Sequence, residues 1–168
     1  MLAVLMSVVV ALSSHAHAGQ AHASNFPSRG KVVPGKNIGG ISLGMTEAQV
    51  KAHWGPNYRI GPAPVKGFTT WMYVYRGAEP LGAAVKFQNN RVVAVFTLGS
   101  PAGWGLSGAM MGDPISNVYN LFGSTGQANC IGYDALTVRV GNATTSFYSS
   151  AGVIYGYALT SASQSACQ

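Results

Sequence analysis

Two pairs of glycines, each pair eleven positions apart, constrain this chain more than any other feature. The first is Gly44-Met45-Thr46-Glu47-Ala48-Gln49-Val50-Lys51-Ala52-His53-Trp54-Gly55. The second, 68 positions later, is Gly112-Asp113-Pro114-Ile115-Ser116-Asn117-Val118-Tyr119-Asn120-Leu121-Phe122-Gly123. Val50 corresponds to Val118 and Trp54 to Phe122. Strand-like sequence follows both segments, so the chain reads as one supersecondary unit used twice.

Each segment carries start and stop signals for a short helix. Thr46 is placed to N-cap the first, and Gln49 three residues later completes a capping box. Met45 and Val50 occupy the positions of a hydrophobic staple. Gly55 suits the position after the helix, and Pro56 prevents continuation. In the second segment Asp113 reads as the N-cap with Pro114 at the first helical position, and Gly123 closes the helix. Helices this short are not stable alone. The pairs Val50 with Trp54 and Val118 with Phe122 must therefore pack on something.

The sequence supplies a sheet for them. Residues 71–76, 83–88 and 91–98 have strand character, with Asn89-Asn90 as a two-residue hairpin turn because Asn tolerates positive φ. Residues 136–140, 143–148 and 153–160 repeat the pattern, with Gly141-Asn142 as the turn and residues 127–133 as a further candidate strand. The expected fold class is α+β: two tandem repeats, each a short helical segment followed by an antiparallel β-meander, in a two-layer helix-on-sheet structure. The boundaries implied are a signal peptide over 1–18, an N-terminal arm over 19–37, repeat one over 38–100, a connector over 101–105, repeat two over 106–160 and a tail over 161–168. Where the second copy turns in two residues, the first takes the longer loop Gly77 to Gly82, and extra loop length on a rigid scaffold is a frequent seat of binding.

The termini bear on location. Leu2 to Leu12 is an apolar run of signal-peptide length, too short to span a bilayer, and Ala16-His17-Ala18 offers a cleavage site. Ala21-His22-Ala23 is a second option, and Met1-Leu2-Ala3 lacks the usual positive charge. An exported protein is expected, secreted or otherwise extracytoplasmic, in the periplasm or at the cell surface. Cys130 and Cys167, the only two cysteines, then read as one disulfide tying down the tail. Closing a loop of about 37 residues contributes roughly 3 to 4 kcal/mol in the chain-entropy account.

The string Ile41-Ser42-Leu43-Gly44-Met45-Thr46 with Gln49-Val50, then Trp54-Gly55-Pro56 and Val85, Phe87 and Val92, resembles a known repeat signature. It is similar to that of the β-lactamase inhibitory protein and of outer-membrane assembly lipoproteins of the SmpA/OmlA type. The resemblance covers roughly residues 38–160 and implies two repeats joined into one concave, aromatic-rich surface. Two tandem copies without a lipidated Cys look more like the inhibitor. It departs from that family in having one possible disulfide, which involves the tail, and Glu79 is its counterpart to the inhibitor's acidic hairpin.

Catalytic signals are sparse. After cleavage at Ala18 only His22 and His53 remain, and His53 lies near the end of the first helix, where an imidazole favours the helix dipole. Glu47 and Asp113 suit helix starts, which leaves Glu79 and Asp134 and no carboxylate pair. No nucleophile elbow, phosphate-binding loop, zinc spacing or dinucleotide fingerprint occurs. We therefore expect no catalytic residues, no metal site, no cofactor and no enzyme. The net charge is +6, from ten basic and four acidic residues. The bases are scattered rather than clustered, which disfavours nucleic acid and suits an acidic protein or an anionic cell-surface polymer.

The aromatic residues are the strongest binding signal. Trp71, Tyr73 and Tyr75 alternate and share one strand face, as do Tyr155 and Tyr157. Such rings dominate protein-binding hot spots. They equally form cores beneath helices, and the sequence leaves both readings open. The leading expectation is a secreted non-catalytic protein-binding module that presents Trp71, Tyr73, Tyr75, Tyr155, Tyr157 and Glu79 to an unidentified protein. Inhibition of an extracellular hydrolase is its sharpest form. A cell-envelope structural or assembly factor is the alternative, and an enzyme is the least favoured.

Overall fold

A capping box opens the first helix, α1 (Glu47–Trp54). The Thr46 hydroxyl accepts the Gln49 N–H at 3.3 Å, and the Gln49 side-chain oxygen accepts the Thr46 N–H at 2.8 Å. Gly55 ends the helix, its N–H donating to the Lys51 carbonyl at 2.8 Å. The surrounding structure is a computed structural model that describes Phe26 and residues 30–62, 66–74, 82–99 and 104–167, with Phe26 and Gly30 flanking undescribed positions. The expected signal peptide, Tyr75, Glu79, most of the Gly77–Gly82 loop and connector residues 101–103 lie outside the described residues.

The chain begins with three two-residue strands, β1 (Val32–Val33), β2 (Asn37–Ile38) and β3 (Ile41–Ser42), paired as one small antiparallel sheet. After α1 come β4 (Arg59–Gly61), β5 (Phe68–Val74), β6 (Gly82–Gln88) and β7 (Arg91–Leu98). A small hairpin of β8 (Gly105–Leu106) and β9 (Ala109–Met110) precedes α2 (Ser116–Phe122). The last strands are β10 (Gly126–Cys130), β11 (Tyr133–Val140), β12 (Ala143–Ser150) and β13 (Val153–Ser161).

The fold class is mostly β, and the expected α+β arrangement of tandem helix-on-sheet repeats does not hold. The described residues form only two helices, of eight and seven residues, against a single eight-stranded sheet ordered β10-β11-β12-β13-β7-β6-β5-β4. The physical reason is the antiparallel seam between β13 and β7, where Ala158 faces Phe96 and Thr160 faces Ala94. Backbone bonding across that seam makes one continuous sheet with one main core. Capping chemistry is local and conspicuous in sequence, so it gave the helices more weight than their share of the structure.

Asp113 also differs from expectation. Ile115 occupies the N-cap position of α2 without a side-chain bond. The Asp113 carboxylate instead accepts the Met110 N–H at 2.8 Å, closing the turn after β9. The glycines that open the two segments have a common task. Gly44 and Gly112 adopt φ of 81° and 92°, a region that strains L-residues with a Cβ. Each then donates its N–H to a sheet strand, Gly44 to the Val92 carbonyl and Gly112 to the Ile154 carbonyl, both at 2.8 Å. Both helices are thereby pinned at their entrances to a hairpin of the sheet. Asn89 and Asn90 take the positive φ values, 51° and 57°, that their hairpin turn requires.

Candidate functional site on the helix-free face of the sheet

Strand alternation divides the sheet into two unlike faces. One lies under α1, α2 and the small sheets. There Trp71, Tyr73, Val85, Phe87, Phe147, Tyr157 and Leu159 join Val50, Trp54, Trp104 and Val118 in the main core. Trp71, Tyr73 and Tyr157 are 2%, 1% and 0% exposed, so they do not present a binding surface. Trp71 and Tyr73 do share one strand face, but it is the face that the helices cover.

These three residues are anchored as core residues by specific contacts. Trp54 meets Tyr73 edge-on at 5.2 Å, and Tyr58 stacks on Trp71 at 3.9 Å. The Tyr73 hydroxyl donates to the Gly55 carbonyl at 3.2 Å. The Tyr157 hydroxyl lies 3.1 Å from the Trp104 carbonyl and 3.0 Å from that of Ala109, and shares one proton between them. Burial raises the pKa of both phenols well above the tyrosine norm, with Tyr58 adding to the shift at Tyr73 and Asp113 at Tyr157.

Tyr155 is on neither strand face in regular register. It falls at an irregularity where Tyr148 pairs with Gly156 and Ser149 with Ile154. Its ring is half-buried in a second cluster on the helix-free side, with Tyr133 at 6.1 Å and Tyr148 at 6.4 Å. Tyr155 is thus separated from Tyr157, and of the expected binding residues it alone is described away from the core. Burial raises its pKa too, with Tyr133 as the lesser cause. Cys130 and Cys167 are disulfide-bonded, with Cα atoms 5.6 Å apart. The bond lays the tail along this cluster, where the Tyr148 hydroxyl donates to the Ala166 carbonyl at 2.7 Å.

The remainder of the helix-free face is built from residues that alternate with the buried aromatics. Met72 on β5 pairs with Arg59 on β4 and Ala84 on β6, and Ala84 with Phe96 on β7. Phe96 pairs in turn with Ala158 on β13. The adjacent row runs from Arg139 and Thr144 through Thr160 and Ala94 to Lys86 and Thr70. Small residues thus form the middle, with half-buried Met72, Phe96 and Leu98 around them. The Lys86 ammonium lies 5.9 Å from the centre of the Phe68 ring.

The described carboxylates keep to one side of the sheet, whereas bases occur on both, Lys51 on α1 among them. Arg59, Lys86 and Arg139 belong to the helix-free face by register, and Arg59 and Arg139 are exposed. The three described carboxylates lie on the other side. Glu47 is on α1, Asp113 is at the turn before α2, and Asp134 lines a small pocket beneath α2. In sequence this face is every second residue counted from the buried aromatics. Among the described residues no three His, Cys, Asp or Glu side chains gather to hold a metal ion.

No family model matches the sequence, and no curated protein matches it. Solved structures of similar fold include two bacterial proteins. One is an extracellular protein containing an SCP domain from Bacillus anthracis str. Ames, with a TM-score of 0.53 and 13% identity over 71% of this chain and 44% of that one. The other is a cysteine-rich secretory protein from Staphylococcus aureus subsp. aureus Mu50, with a TM-score of 0.54 and 12% identity over 76% of this chain and 46% of that one. The chain spans less than half the length of either. These are the fold's neighbours, and the resemblance to the β-lactamase inhibitory protein and the SmpA/OmlA-type lipoproteins is overturned. The residues that carried it, from Ile41 to Pro56, serve capping, helix termination and pinning to the sheet.

Proposed function

We propose that this chain is an extracytoplasmic, non-catalytic binding protein that uses the helix-free face of its sheet to take a partner with an acidic surface. The single observation that carries the reading is that this face holds bases and none of the described carboxylates. Arg59, Lys86 and Arg139 surround a patch containing Met72 and Phe96, with the described carboxylates on the opposite side. Such a field speeds encounter with an acidic partner, and the apolar patch supplies burial once contact is made. The disulfide supports an oxidising compartment, and both fold neighbours are described as extracellular or secretory.

The test is binding of immobilised poly-L-glutamate by the protein, measured by surface plasmon resonance. The triple variant Arg59→Glu, Lys86→Glu, Arg139→Glu is compared with Lys31→Glu, Lys36→Glu, Lys51→Glu, which changes charge equally on other surfaces. The expected result is salt-sensitive binding that only the first variant abolishes. Equal loss in both variants, or no binding by the wild type, overturns the reading. Occlusion of an extracellular hydrolase is the sharper form of this function, and attachment to an anionic envelope polymer is its alternative. Inhibition of an acidic hydrolase by wild type but not by the first variant distinguishes the former.

A further inference from the structure

A second site lies on the other side of the sheet, beneath α2. Ile115 and Tyr119 roof a pocket of about 160 Å³, floored by Gln127, Asp134, Leu136 and Ser149. The register explains the grouping. Gln127 pairs with Leu136 across β10 and β11, and Asp134 pairs with Ser149 across β11 and β12, so four side chains stand on one face near the sheet edge. The Ile115 N–H donates to the Gly152 carbonyl at 2.9 Å, which fixes α2 over them.

The polar side chains of this pocket include two that are open to solvent, Gln127 and Asp134. Ser149 is only 7% exposed as a residue, and its side chain belongs to the pocket lining. Asp134 is exposed and makes no ion pair among the described residues, in a chain whose formal net charge is +6. The Asp134 carboxylate, the Gln127 amide oxygen and the Ser149 hydroxyl together offer three acceptors, which matches the three donors of an –NH3⁺ group. The Tyr119 ring adds a face that attracts a cation, and Ile115 and Leu136 suit a short alkyl stem. The volume is well below the roughly 300–1,000 Å³ of sites for drug-sized ligands, so the occupant is small.

We infer that this pocket binds a primary alkylammonium group, carried by a free amine or by a lysine side chain. The experiment is a 1H–15N NMR titration of the whole protein with four probes: n-butylammonium, N-acetyl-lysine-N-methylamide, butan-1-ol and butyltrimethylammonium. Saturable shifts at Ile115, Tyr119, Leu136, Ser149 and Gly152 are expected with n-butylammonium. The lysine analogue binds equally well if the natural source is a lysine side chain and at least tenfold more weakly if it is a free amine; either result supports the site. Butan-1-ol, which lacks the charge, and butyltrimethylammonium, which lacks N–H donors, bind at least tenfold more weakly than n-butylammonium.

Asp134→Asn weakens n-butylammonium binding at least tenfold while the rest of the spectrum is unchanged. Ser149→Ala weakens it less. No saturable shift with n-butylammonium, equal binding of butan-1-ol or of the trimethyl compound, or full binding by Asp134→Asn overturns the inference. None of these outcomes depends on the helix-free face.

Discussion

At the scale of single residues, the tyrosines show how one side-chain type serves two ends. Tyr157 is wholly buried, and its hydroxyl joins the sheet to the backbone of Trp104 and Ala109. Its folded pKa is raised above the unfolded value of about 10, first by burial and then by Asp113. The neutral phenol therefore contributes its full stability below pH 10. That contribution is lost as the pH rises from the unfolded value toward the folded one, because folding then holds a proton the unfolded chain would release. Tyr73 and Tyr148 are shifted in the same direction and add to the effect. Tyr157→Phe removes the hydrogen bonds and should cost about 1 kcal/mol at neutral pH. The same substitution removes an ionisable group, so the difference from wild type should narrow above pH 10. Urea denaturation at pH 7 and pH 11 measures both; a gap that widens at high pH contradicts the assignment. The alternation that groups Trp71 with Tyr73 was plain in the sequence. Which side the helices would cover was not, because both faces of β5 carry large apolar residues.

At the scale of elements, the capping box of α1 and the Asn89-Asn90 turn were legible because their chemistry is complete within four residues. The α2 start was not legible, for the complementary reason. Asp113 has the chemistry of a cap, but the backbone N–H it meets belongs to Met110 in the preceding hairpin. The β13–β7 seam joins residues some sixty positions apart in sequence, and no local pattern announces it. The tail depends on long-range chemistry as well. The Cys130–Cys167 bond, with a sequence separation of 37, holds it against Tyr148, whose ring is fully buried and whose hydroxyl bonds Ala166. Replacing both cysteines by alanine should destabilise the fold by roughly 3 to 4 kcal/mol in the chain-entropy account. The tail should then leave the Tyr133, Tyr148 and Tyr155 cluster, and amide exchange over residues 162–167 should accelerate before that of β7. Denaturation and hydrogen exchange test the two parts separately. A tail still protected without the disulfide would place its stability in the Tyr148 contact instead.

At the scale of the whole molecule, both helices and the small sheets pack on one side of the large sheet and leave its other face free of helices. Trp104 is the joint of that packing. Its ring is fully buried, 6.0 Å from the Trp54 ring and 5.8 Å from that of Phe26. Its backbone carbonyl accepts the Tyr157 hydroxyl of β13. The chain comes close to the ring at Gly30 and Gly39, where a Cβ would stand 2.6 Å and 2.7 Å from the indole carbons. One side chain thus touches the β1–β3 sheet, α1 and, through its own backbone, the large sheet. Its indole N–H has no partner among the described residues, so its contribution is packing and not hydrogen bonding. Trp104→Ala should cost about 3 to 5 kcal/mol, the range for deleting a buried aromatic ring. If the small sheet, α1 and the large sheet form one cooperative unit, thermal unfolding remains a single transition at lower temperature. Amide exchange over residues 32–42 and over β5 to β7 then accelerates by the same factor. Acceleration confined to residues 32–42 would make the small sheet a separately unfolding flap, and binding through the helix-free face would then survive the substitution at temperatures where the flap is open.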